Sequence, residues 1–398
     1  MSADDEQVQR MTTETAERES EVLLDTQHLQ RLRQALAANA TRYDRDGCFP
    51  ADNVALLRQA GLLALTVPRR YGGGGGGLRD ASHVLGILAQ GCASTAMIVA
   101  MQFLKQAAVA RSELWPEHVR ARIFGDAVAC GGLINALRVE PELGSPTRGG
   151  LPATTIWRTQ DGWRLSGRKI FSTGAPGLRW MDVWARTADE PALVGHVIVP
   201  TDAPGISIVE TWDHLGMRAT CSHDVVFADV PVVDDFIAVR PQQAWQSADP
   251  AQAAWNAAAI AAIYNGIARA ARDWLADFLL HRTPTALGAS LATLPRAQER
   301  FGEIEMLLSA NGRLITSITR ETDTGLAPHP NESGLAKVMI IENAVRAVEV
   351  AASLAGNHAH ARANPIERHI RDVRSGRVQA PQADSAFVAA ARAALLAS

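Results

Sequence analysis

The chain predicts an α+β fold that is mostly α: an N-terminal helical domain, a middle β-barrel and a C-terminal four-helix bundle. Three observations carry this. Apolar residues recur at helical spacing up to about residue 125, then at a period near two, and again at helical spacing after Gln242. At 398 residues and 47% hydrophobic, the chain is long enough to bury two or three cores.

Residues 1–28 are polar and read as a tail. Helical spacing over residues 29–43, 53–60, 79–88 and 94–110 makes the first domain, residues 29–125, all α. In the second, residues 126–240, strands are expected at 163–170, 183–185, 194–199, 206–209 and 225–227. Ser166-Gly167-Arg168-Lys169 interrupts the first of these as a tight turn or a bulge. A turn from Pro200 to Pro204 separates two later strands. The last domain, residues 241–398, carries long helices over 253–282, 294–322, 333–354 and 385–396, the composition of a four-helix bundle. Asn331 to Ser333 offers capping side chains to the third of them.

A formal net charge of −3 gives no electrostatic reason to expect nucleic acid. No run approaches the length of a transmembrane helix, so no membrane partner is expected. The acidic start lacks the basic-then-apolar order of a signal peptide. Cys48, Cys92, Cys130 and Cys221 are scattered, which indicates neither disulfides nor a metal site. A cytoplasmic location follows as the expectation. The hexaglycine Gly72 to Gly77 formally contains G-x-G-x-x-G, but any six glycines do, and Pro68-Arg69-Arg70-Tyr71 separates it from the preceding apolar run.

The most specific stretch is Glu140-Pro141-Glu142-Leu143-Gly144-Ser145 followed by Arg168-Lys169-Ile170-Phe171-Ser172-Thr173-Gly174. An ordinary hairpin shares its alternation, but further segments stand in order: Pro68-Arg69-Arg70-Tyr71-Gly72-Gly73, Leu215-Gly216-Met217-Arg218, and Pro365-Ile366-Glu367-Arg368 with Arg371-Asp372. Together they resemble the acyl-CoA dehydrogenase superfamily, from about Pro50 to the last residue. The resemblance implies two helical domains flanking a small barrel, with FAD or FMN between barrel and bundle. It implies that Val139, Gly144, Ser145, Phe171 and Thr173 lie beside the flavin ring, Phe171 packing on it and Thr173 bonding its polar edge. It further implies that Arg282, Gln298, Gly356 and Asn357 meet the cofactor tail of a neighbouring subunit, hence a homodimer or homotetramer.

Two departures bear on the reaction. In the family, the carboxylate that removes the substrate proton stands nine residues after the Arg of the R-D pair, or 26 residues before the bundle Arg; these positions are Ala380 and Asn256 here. Ala257 replaces the substrate-contacting Arg beside the second. Without a positioned base the usual dehydrogenation loses ~10²–10⁴ in rate. The resemblance then points to the branch that takes reduced flavin from a separate flavin reductase and oxygenates a small-molecule substrate. That branch often has a His in the first domain where this chain has Met101-Gln102. Two alternatives stand: an acyl-CoA dehydrogenase or oxidase with Asp384 as a displaced base, and a flavin-binding scaffold without catalysis. Asp384 better suits a cap of the last helix, on capping preference. His358, His360 and His369 read as a polar loop rather than a metal site.

Overall fold

The computed structural model describes residues 24–143, 150–245 and 249–396. Helices come first: α1 (Thr26–Asp46), α2 (Ala51–Gln59), α3 (Leu78–Gly91), α4 (Ala93–Arg111) and α5 (Glu117–Cys130). The last was not legible as a separate helix in the sequence, because only Val119, Ile123, Phe124 and Ala127 are buried and its apolar stripe is narrow. Strands follow: β1 (Leu133–Leu137), β2 (Thr155–Thr159), β3 (Gly162–Lys169), β4 (Leu178–Thr187), β5 (Leu193–Pro200), β6 (Ile206–Val209), β7 (Asp224–Val232) and β8 (Ile237–Pro241). The chain ends in α6 (Pro250–His281), α7 (Pro295–Asp323), α8 (Pro330–Ala355), the short α9 (Pro365–Arg374) and α10 (Ala383–Leu396).

The eight strands form one curled sheet in the order β6-β7-β3-β2-β4-β5-β8, with β1 beside β4. Most pairings are antiparallel; β4 pairs in parallel with β1 and with β2. β3 runs unbroken through Ser166 to Lys169, and its register against β7 slips between Leu165 and Gly167. Of the two sequence alternatives, the bulge is the one present.

α4 is long and apolar enough to cross a membrane, which corrects the sequence expectation that no run is, but 78% of it is buried inside the fold. It is a core helix, packed against α3 and α6. The N-cap of α8 is also corrected. His329, not residues 331–333, caps it, with Nδ1 accepting from the Asn331 N–H at 3.2 Å. The proline at the first helical turn starts the helix at residue 330, three residues before the expected 333.

The hexaglycine turns back on the preceding segment. Gly74, Gly75 and Gly76 donate to the carbonyls of Ala64, Val67 and Leu65 at 3.0, 2.9 and 2.8 Å. A Cβ at Gly73 would stand 2.3 Å from the Val67 Cβ, so glycine is required by close approach and no phosphate cradle is formed. The α3 N-terminus is already occupied: the Asp323 carboxylate accepts from the Leu78 and Arg79 N–H groups at 2.8 and 2.9 Å.

Candidate functional site

The site is built on one buried ion pair. Lys169, at the end of β3, and Glu140 are both almost wholly buried, with Nζ 2.6 Å from Oε1. Glu140 also accepts from the Ala153 and Thr154 N–H groups at 2.7 and 3.0 Å, and Lys169 donates to the Trp184 carbonyl at 2.5 Å. Burial would raise the Glu140 pKa, but Lys169 and these N–H groups outweigh it and hold the carboxyl below its ordinary value. The pair thus pins both ends of the loop containing Gly144 and Ser145, which themselves lie outside the described residues.

Beyond Lys169 the chain leaves the sheet. The Ile170 N–H donates to the Val139 carbonyl at 2.9 Å, and Phe171 follows in the left-handed region at φ 56°, 53% exposed. A second loop, residues 211–223, lies against it. Ser172 and Gly174 N–H groups donate to the His223 and Thr220 carbonyls at 3.1 and 2.8 Å. Thr173 Oγ1 lies 3.0 Å from Ser222 Oγ, which lies 2.8 Å from Thr220 Oγ1. Asn135 of β1 donates to the Thr173 carbonyl at 3.0 Å.

Two further non-glycine residues of this pair of loops, Met217 and Cys221, have positive φ. Such backbone costs on the order of 1–3 kcal/mol per residue and clusters at binding sites. The Phe171 ring stands edge-on to Trp212 and His214, at 6.3 and 6.1 Å, and those two stack at 3.5 Å. His223 orients the loop by accepting from the Thr211 and Trp212 N–H groups on Nδ1, which places its own proton on Nε2. An exposed aromatic face, a chain of three hydroxyls and the unpartnered, buried Ser172 Oγ suit a planar heterocycle with polar edges. Sequence reading singled out Val139, Phe171 and Thr173, and missed Asn135, Trp212, His214 and Ser222. Nothing in their spacing signals them, because they arrive from two other segments, β1 and the 211–223 loop.

The barrel is locked to both helical domains beside this site. The Met217 N–H donates to Asp372 Oδ1 at 2.6 Å, and a Cβ at Gly216 would meet the Arg371 carbonyl at 2.5 Å. Arg218 donates to the Asp44 carbonyl at 2.8 Å, while Arg371 grips the Asp44 and Glu367 carboxylates. Burial pushes the Asp372 carboxyl up to about 6. The two separated motifs, residues 215–218 and 365–372, are therefore halves of one junction.

The tail positions sit elsewhere. Arg282 caps α6, Gln298 donates to the Ala292 carbonyl at 3.0 Å, and Gly356 ends α8 at φ 56°, followed by Asn357. A cavity of about 260 Å³ lies among α6, α7 and α8, lined by Leu279, Leu291, Leu294, Arg296, Ala297, Arg300, Ser353 and Leu354, and none of the four is among its lining residues. Among the described residues no hydrogen bond or ion pair joins this cavity to the barrel loops. Gln102 does not face the site: wholly buried, it bonds the Leu63 and Gly132 carbonyls and the Ile134 N–H. Asp384 is exposed in the first turn of α10, one residue inside the helix and not before it as a cap would be, with Oδ1 accepting from Ser385 N at 2.8 Å. No group of three His, Cys, Asp or Glu that could hold a metal occurs among the described residues.

Residues 17–111, 138–230 and 258–380 match the N-terminal, middle and C-terminal domains of acyl-CoA dehydrogenase. The chain belongs to the acyl-CoA dehydrogenase superfamily. It is similar to a putative acyl-CoA dehydrogenase, YdbM, of Bacillus subtilis, at 34% identity over 89% of this chain and 92% of that protein. It is also similar to the L-evernosamine nitrososynthase of a Micromonospora species, at 30% identity over 87% and 83%. Among solved structures, KijD3 in complex with FMN and a dTDP-linked amino-keto sugar superposes with a TM-score of 0.81 at 28% identity, covering 96% of this chain and 94% of that one. Superfamily relatives thus include both dehydrogenases and amino-sugar oxidising enzymes, all of them flavin-dependent oxidoreductases.

Proposed function

We propose that this chain is a flavin-dependent monooxygenase of a small organic substrate, drawing reduced FMN or FAD from a separate reductase. The observation that carries this reading is what stands at the two base positions. Asn256 accepts from Gln252 Nε2 at 3.0 Å, and Gln252 in turn accepts from Arg111 at 2.8 Å, a neutral amide chain ending on a cation. Ala380 lies in a segment gripped by the buried Lys337, whose ammonium donates to the Gln379 and Pro381 carbonyls at 2.5 and 3.0 Å. Neither position offers a proton acceptor of the kind α-proton removal needs. FMN in KijD3 and the nitrososynthase relative support oxygen transfer.

In this reading Phe171 packs on the flavin ring, Val139, Gly144, Ser145 and Thr173 contact its edges, and flavin supplies the oxygen chemistry. Arg282, Gln298, Gly356 and Asn357, apart from the ring loops, meet the flavin tail of a second copy, which favours a two-fold homodimer or homotetramer. The protein works in the cytoplasm.

The YdbM likeness favours a second reading, a dehydrogenase or oxidase with Asp384 as base. Anaerobic mixing of flavin-loaded protein with butyryl- and octanoyl-CoA decides between them. Slow or absent bleaching, with oxygen transfer once reduced flavin and O₂ are supplied, supports the monooxygenase. Fast bleaching that Asp384→Asn abolishes overturns it.

A further inference from the structure

Behind the ring loops lies a cluster of charges that the proposed chemistry does not use. Asp182 of β4 is fully buried and is shared by Lys105 of α4, with which it forms an ion pair, and by His196 of β5, whose Nδ1 is 2.9 Å from Oδ2. Three tryptophans enclose His196: Trp184 at 5.1 Å, Trp245 at 5.2 Å and Trp115 at 6.4 Å between ring centroids. Burial lowers the His196 pKa, so the imidazole is neutral at pH 7.

Arg138 lies over one of these rings, its guanidinium carbon 4.9 Å from the Trp184 ring centroid. Its place in the chain matters. It follows β1 directly and precedes Val139, whose carbonyl anchors the Phe171 loop. The side chain is exposed, so the guanidinium is held against a buried indole on one face and is open to solvent beside the ring loops.

The balance of charge there is uneven. Lys105, Lys169 and Arg138 act on a neighbourhood that contains the carboxylates Asp182 and Glu140. Each lysine has its own carboxylate; Arg138 has no ion pair or hydrogen bond among the described residues. Among the described residues one positive charge is left over, carried on the member of the set that faces open space. An unpaired guanidinium fork stacked on an indole is matched by a planar or tetrahedral oxyanion.

We propose that Arg138 binds an anionic oxygen group of the substrate, carboxylate or phosphate, and so sets the charge this enzyme selects. The assignment deepens the oxygenase reading and rests on it for the space beside the ring loops being the substrate's. Arg138 supplies, from the barrel side, a cation for the substrate that Ala257 on the bundle helix cannot provide.

The test is calorimetric titration of the flavin-loaded protein with benzoate, the neutral isostere benzamide, phenyl phosphate and thymidine diphosphate. Benzoate or a phosphate is expected to bind at least about tenfold more tightly than benzamide, the range of a charge-assisted hydrogen bond. The selectivity collapses towards unity in Arg138→Met and is partly retained in Arg138→Lys, both with the wild-type melting temperature. The two phosphate arms against benzoate tell a phosphate-bearing substrate from a carboxylate. Equal or no binding of anion and amide by the wild type, or selectivity that survives in Arg138→Met, overturns the proposal. So does a variant that loses FMN affinity alone, since Arg138 would then serve the flavin. Failure of the oxygenase reading shows separately, as absent oxygen consumption with reduced flavin while anion selectivity persists.

Discussion

Arg371 reaches from α9 in the bundle to Asp44 near the end of α1, Nη2 lying 2.6 Å from Oδ2 and Nη1 3.0 Å from Oδ1. The contact spans the two helical domains and is mostly buried on both sides. Arg371→Met leaves Asp44 and Glu367 facing each other without their cation. It is expected to cost about 2–4 kcal/mol, somewhat less than a fully buried broken pair. Urea denaturation of Arg371→Met, Asp44→Asn and the double variant measures this, and the double variant should cost less than the sum of the singles.

Gly216→Ala tests the same junction through shape. The added Cβ meets the Arg371 backbone carbonyl at 2.5 Å, which no rotamer change relieves. A loss of about 1–3 kcal/mol is expected, the range for overpacking, together with weaker flavin retention on gel filtration. Unchanged stability would mean that the barrel and bundle are not held this closely.

The Glu140–Lys169 pair predicts a sharp asymmetry. Lys169→Met strands a buried carboxylate and should cost about 3–5 kcal/mol, whereas Lys169→Met with Glu140→Gln should recover part of it. Glu140 has a folded pKa below its ordinary 4.5, so its contribution is present above that value and lost as pH falls through the depressed one. Acid denaturation followed by circular dichroism should show wild type losing this increment below about pH 4.5 and the double variant lacking it.

Phe171 separates binding from folding. Its ring is largely exposed, so Phe171→Ala should leave stability within about 0.5 kcal/mol. Loss of aromatic packing should weaken FMN binding by up to about tenfold. Fluorescence titration of the flavin checks the second point, and an unaltered affinity would remove Phe171 from the ring site.

Lys337 makes a pH prediction of the same sign in an alkaline window. Burial lowers its pKa from 10.5 to about 8. The folded chain therefore binds fewer protons than the unfolded chain between those values, so this group's contribution to stability rises with pH across that window. Below about pH 8 the fold bears the full cost of the buried charge. Urea titrations from pH 7 to 10 should show wild type gaining on Lys337→Met as pH rises. Hydrogen exchange should find residues 376–381 less protected in the variant, because three carbonyls lose their donor.

The order helices, sheet, helices was legible in the sequence because hydrophobic period is a local property: Leu29, Leu32 and Leu36 mark a helix wherever it packs. The requirement for glycine at 73 is local, a close approach to Val67, whereas that at 216 comes from Arg371, far along the chain. Short elements escaped for the converse reason. β1, β2 and β8, five residues each, are defined by the strands beside them rather than by a period of their own. The sequence by itself determined the family and the residues, Ala380 and Asn256, that stand at its two base positions. Tertiary structure alone decided what surrounds them. Asp182 with Lys105 and His196, Phe171 against Trp212 and His214, and Arg138 over Trp184 each join separate segments. Charge balance and aromatic packing depend on distance in space, which spacing along the chain does not encode.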